Sequence, residues 1–175
     1  MLNIEKGLRW ISSLGGPFIL MEQVVLHSWS GDLASNSHPW MNMMSDYERA
    51  GEIEDYVGIL NVGEQRSLVL SMPDQTSYIL LNPREFLLVR WIGADSEEEV
   101  LNTLKEFDLK QSWIDTNLQI HFESGELVLF DSVYAGSEVT DSLNINTDPG
   151  DYSISVLSYR PTDQIDLLLI LIAKN

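Results

Sequence analysis

The sequence predicts an α+β fold, mostly antiparallel β-sheet with one clear helix at about 96–108. Short runs rich in Val, Ile, Leu and aromatic residues recur between Gly, Asn, Asp and Pro, which is the rhythm of strands joined by turns. A single stretch shows a helical apolar stripe with its own start signal. The longest apolar run, Leu167 to Ala173, covers seven residues; that is the length of a buried strand, whereas a bilayer span needs roughly 20.

Taken in order, Trp10-Ile11 reads as a first strand and Ser12 to Pro17 as a bend. A second strand follows at Phe18–Met21. The glycines of the bend have no Lys after them and open no helix, so a structural bend is preferred over a phosphate cradle. Asp32 to Asp46 mixes turn formers with one Trp and three Met, a loop partly docked on the core. Tyr56–Val62 and Arg66–Leu70, joined by Gly63-Glu64-Gln65, read as one hairpin. Leu118–Phe122 and Glu126–Phe130, joined by Glu123-Ser124-Gly125, read as another, and Leu118, Ile120 and Phe122 alternate with polar neighbours. Further strands are expected at Gln75–Leu81, Phe86–Trp91, Ser142–Asn146, Tyr152–Ser158 and Asp166–Ala173. For the helix, Ser96 followed by Glu97, Glu98 and Glu99 reproduces a capping box at the positive end of the helix dipole. Val100, Leu101, Leu104 and Phe107 then form the apolar stripe. The 175 residues read as a single domain, or as a β-rich half with the helix at 1–112 and a small β-sandwich-like half at 113–175.

Charge narrows the partners. Lys plus Arg number 10 against 27 Asp plus Glu, a net charge of -17. Such a body repels phosphate backbones and anionic lipid, so neither nucleic acid nor membrane is expected as a partner, and a basic protein is. No Cys is present, which removes disulfides and thiol chemistry and suits the cytoplasm. The start of the chain lacks the apolar core and cleavage site of a signal peptide.

Motifs for catalysis are missing: no Gly-x-Ser-x-Gly elbow, no His-Glu-x-x-His, no Walker loop and no dinucleotide fingerprint. No enzyme, cofactor or metal is expected. His27, His38 and His121 are too far apart for a local metal motif, and Glu52, Glu54 and Asp55 lack calcium-loop spacing and read as a solvated turn.

Four segments, Trp10 to Leu20, Trp29-Ser30-Gly31, Asp46-Tyr47-Glu48-Arg49-Ala50 and Val89 to Asp95, together resemble the immunity protein 21 family of bacterial polymorphic-toxin systems over residues 8–108. One departure is Gly51, where the family is expected to carry Cys. Beyond residue 115 the segments Leu129–Tyr134, Leu143–Ile145 and Pro149–Ile154 are similar to a small β-sandwich pattern of a nuclease inhibitor associated with bacterial competence. The resemblance implies a protein that binds and neutralises a cognate toxin domain without catalysis of its own. A strongly negative inhibitor speeds encounter with a positive toxin, so a nuclease or another enzyme with a cationic face is expected. Candidate toxin contacts are Trp29, Asp32, Trp40, Asp46, Glu48, Asp131, Asp141, Asp148 and Asp151. The Asp46–Arg49 segment reads equally as a structural corner, with Tyr47 buried and Arg49 pairing locally. The alternative function is a β-sandwich module for a small molecule or carbohydrate, using Trp29 and Trp40.

Overall fold

A computed structural model describes residues 2, 4, 7–32 and 44–175. Ten strands run in chain order: β1 (Phe18–Glu22), β2 (Val57–Val62), β3 (Gln65–Leu70), β4 (Gln75–Asn82), β5 (Glu85–Gly93), β6 (Ile114–Phe122), β7 (Glu126–Asp131), β8 (Ser142–Asn146), β9 (Gly150–Thr162) and β10 (Ile165–Lys174). Two α-helices, α1 (Asp46–Gly51) and α2 (Glu97–Glu106), and 3-10 turns at Gln23–Ser28 and Gly136–Glu138 complete the described elements.

The strands form two five-stranded antiparallel sheets. The first has the order β2-β3-β1-β7-β8 and the second β4-β5-β10-β9-β6. Continuous apolar runs sit where both faces are covered, because a strand with no polar face must be buried on both sides. In β10, Leu168, Ile170 and Ile172 face the other sheet while Leu167 and Leu169 pack under α2. In β1, Phe18 and Leu20 face inward while Ile19 and Met21 pack under the α1 side. The outer strand β8 alternates Leu143 and Ile145, buried, with exposed Asn144 and Asn146. The result is four layers, α2, second sheet, first sheet and α1, with the largest apolar cluster between the sheets. Residues on either side of position 112 meet in both sheets: β1 lies between β3 and β7, and β10 between β5 and β9.

The expected helix is present, and Ser96 Oγ accepts the Glu99 amide at 3.3 Å. The Glu99 carboxylate returns to the amide of Asp95 at 3.2 Å rather than to that of Ser96. Two expectations are corrected. Trp10-Ile11 forms a single bridge, Ile11 to Thr76, instead of a strand. The segments around Glu123-Ser124-Gly125 are not a hairpin, since β6 pairs with β9 while β7 pairs with β1 and β8. The turn crosses from one sheet to the other, and Phe122 and Leu127 on its two sides enter the same inter-sheet core. Glu22 fixes this crossing: its Oε1 accepts from Ser124 N at 2.6 Å, Ser124 Oγ at 2.7 Å and Gly125 N at 3.2 Å.

The register defines two ends of the sandwich. At the upper end β1 and β2 begin and β3 and β7 finish, since Phe18 pairs with both Leu70 and Asp131 and Val57 pairs with Leu70. In the second sheet β4, β6 and β10 begin there and β5 and β9 finish. The Ser124 turn and the β8–β9 turn lie at the lower end.

Candidate partner-binding end of the sandwich

The upper end is built by the segments that the sequence marks as motifs. Trp29 is 1% exposed, stands edge-on to Phe130 and donates from Nε1 to the Ser132 carbonyl at 2.9 Å. Gly31 has φ +59°, and a Cβ there would strike the backbone of residues 133–135, which is why the chain can pass so close. The Asp32 amide donates to the Val133 carbonyl at 3.1 Å. Asp46 Oδ2 accepts from the Ser30 amide and hydroxyl, both at 2.9 Å. Its Oδ1 holds Arg49 Nη1 at 2.8 Å, and Arg49 Nη2 reaches the Asn61 carbonyl at 2.9 Å. Ser45 and Glu48 form a reciprocal capping box that starts α1. The half-buried Tyr47 ring fills the space a side chain at Gly16 would need. The Asp46–Arg49 segment thus makes a local corner.

Asp131 ties the opposite side of this end. Only 3% exposed, it accepts the Leu14 amide on Oδ2 at 2.7 Å and the Val133 amide on Oδ1 at 3.2 Å. Ser132 next to it donates its amide to the Pro17 carbonyl at 3.1 Å. Asp141, exposed, is engaged by Arg9 at 3.0 Å. The structure therefore gathers Trp29, Asp32, Asp46, Glu48, Asp131 and Asp141 towards one end. It puts Asp148 and Asp151 at the lower end, where Asp151 meets His121 Nδ1 at 2.8 Å and the Asp148 carbonyl accepts the Tyr152 hydroxyl. Trp40 and His38 lie outside the described residues.

A groove of about 570 Å³ opens at the upper end between the edge strands β2 and β6. Its floor is apolar, with Val57, Leu118, Val156 and the 62%-exposed Ile114, and its lip carries Glu52, Glu54 and Asp55. The lip is fastened by Ser71, which donates its hydroxyl to the Asp55 carbonyl and its amide to the Tyr56 carbonyl. A bulge in β6 shapes the other wall: the register slips between Asp115 and Gln119, with Asn117 at φ 58°. Bulges on edge strands re-aim side chains and discourage indiscriminate pairing.

Electrostatics at this end are one-sided. No basic residue is among the described residues that line the groove. Elsewhere among the described residues Arg9 is engaged by Asp141, Arg49 by Asp46 and Arg160 by Asp166. The three lip carboxylates make none of the ion pairs found among the described residues. Among the described residues no group of three or more His, Cys, Asp or Glu could hold a metal ion. No helix among them is long and apolar enough to cross a membrane.

Sequence reasoning missed the groove, because Glu52, Glu54 and Asp55 look like a solvated turn until β6 is set beside them. It also missed α1, although Ser45-Asp46-Tyr47-Glu48 carries the same Ser-x-x-Glu signal that identified α2.

Compared with known proteins, no curated protein and no solved structure gives a match. The family described as immunity protein 21 matches residues 9–165, which takes in the first sheet, the upper-end loops, the groove and the second sheet up to the start of β10. The chain belongs to the immunity protein 21 family, and its role is that of an immunity protein.

Proposed function

We propose that this protein binds its cognate toxin domain through the upper end of the sandwich, in the cytoplasm of the producing cell, and neutralises it by covering its active surface. The observation that carries this reading is the groove whose lip holds three exposed carboxylates with no cation among its described lining residues. An apolar floor with an acidic rim fits a basic side chain, whose aliphatic stem lies on the floor while its charge meets the rim. The toxin that fits is an enzyme with a cationic face, and a nuclease is the class whose substrate demands one. Neutralisation needs no catalysis here, only occupancy.

Of the candidate contacts, Asp32, Glu48 and Asp141 are exposed at this end. Asp46 and Asp131 shape it from within, and Trp29 supports it from the core. In this reading Asp148 and Asp151 stand apart from the interface.

Association kinetics test the charge argument. With the toxin domain encoded beside this chain's gene as the probe, the on-rate should fall at least tenfold as salt rises from about 50 to 500 mM. An on-rate indifferent to salt would remove electrostatic steering, and failure of the two proteins to bind at all would remove the toxin reading.

A further inference from the structure

Leu14 is the most exposed of the large apolar side chains among the described residues, at 76%, yet its backbone is firmly held. Its amide is bonded by the buried Asp131 carboxylate. Ser13 Oγ donates to the Gly16 carbonyl at 2.7 Å and accepts the Gly15 amide at 3.0 Å. Gly16 is stacked against Tyr47, and the Pro17 carbonyl takes both the amide and the hydroxyl of Ser132.

A lone exposed leucine is ordinary and calls for no explanation. Leu14 is not alone. Of the nine exposed large hydrophobics among the described residues, all but Val24 and Leu80 lie at the upper end or on the groove that opens there. Apolar side chains concentrated at one end, beside carboxylates, mark an interaction surface rather than random exposure. Leucine is not the commonest interface anchor, so the mounting carries the argument. A side chain carried on a backbone already held in place avoids the loop-ordering part of the entropy that association otherwise costs.

We propose that Leu14 is the apolar anchor of the toxin interface, entering a hydrophobic pocket on the toxin that is bordered by basic side chains meeting the upper-end carboxylates. This rests on the toxin-binding reading above and adds the point at which the partner grips.

The test uses the full chain and an inactivated form of the toxin domain encoded beside its gene, with affinity measured by calorimetry. Leu14→Ala should weaken binding about 30-fold or more, the loss of one well-buried leucine. Its melting temperature should match that of the native protein, because a side chain this exposed adds little to the fold. Val24→Ala, 62% exposed at the start of the 3-10 turn that follows the lower end of β1, should bind within twofold of native. Unchanged affinity in Leu14→Ala would overturn the anchor and leave the toxin reading standing. Absence of any complex with the native chain would overturn both. A native chain that dimerises in solution, and becomes monomeric with Leu14→Ala, would assign the surface to self-association and overturn the anchor as well.

Discussion

The Asp131 carboxylate, at the last residue of β7, accepts the amide of Leu14 at 2.7 Å across 117 positions of sequence. A buried acceptor used in this way sets the course of the Ser12–Pro17 bend. Removing it leaves the Leu14 and Val133 amides without their partner. Asp131→Ala should therefore cost about 1–3 kcal/mol, read as a lower urea midpoint with unchanged slope. Asp131→Asn keeps one acceptor oxygen and should lose less. A loss below about 0.5 kcal/mol for the alanine variant would show that the bend is held by Ser13, Tyr47 and Ser132 without it.

Glu22 gives the protein a specific acid sensitivity. Burial alone raises its pKa, but the hydrogen bonds from Ser124 and the neighbouring backbone amides outweigh burial and hold the carboxyl below its ordinary 4.5. A lowered folded-state value contributes stability that is whole above 4.5 and is lost as pH falls through the folded value. Stability followed from pH 6 to pH 3 should drop more steeply for the native chain than for Glu22→Gln. At pH 7, Glu22→Ala should cost about 1–3 kcal/mol. Identical acid profiles for native and Glu22→Gln would contradict the assignment.

Arg90 places a buried charge inside the sandwich. It is 0% exposed, its three guanidinium nitrogens find no hydrogen-bond partner among the described residues, and burial pushes its pKa down to about 10 against the pull of Asp74. Exchanging both members of a buried charge pair for apolar groups of similar volume is neutral to stabilising, whereas removing one member strands the other. Arg90→Met combined with Asp74→Leu should leave stability unchanged or raise it by up to about 1–3 kcal/mol in urea denaturation. A loss of similar size would mean that the guanidinium is bonded in solution.

We propose further that the chain unfolds as one unit. The fragment 1–112 would lack β10, the central strand of the second sheet, and β7, the partner of β1. Expressed alone it should show no cooperative melt, while the full chain should give coincident near- and far-ultraviolet transitions. A fragment with its own sharp melt would restore two independent halves.

Strand positions were legible in the sequence because two-residue alternation and continuous apolar runs each have one physical reading. Ser142–Asn146 was placed to the residue, and Leu167–Ala173 pointed directly to the centrally buried β10. Partnerships were not legible. The segments flanking Glu123-Ser124-Gly125 look like a hairpin because any short turn with Gly joins two strands, and the clamp that makes the turn cross between sheets, Glu22, lies about a hundred residues away. The candidate site divided in the same way. Trp29, Asp46 and Asp131 are read from the sequence as toxin contacts; the structure gives them roles in holding loops that depend on distant partners, Ser132, Ser30 and Leu14. The groove needs β2 and β6 side by side, and Leu14 looks like any loop leucine until its mounting is seen.

Growth of cells producing the toxin domain tests the central claim most directly. The account predicts that the native chain protects, and that a lower-end variant, Asp148→Lys with Asp151→Lys, protects equally. An upper-end variant, Glu52→Lys with Glu54→Lys and Asp55→Lys, should be folded by circular dichroism and fail to protect. Protection by the upper-end variant together with failure of the lower-end variant would contradict the account.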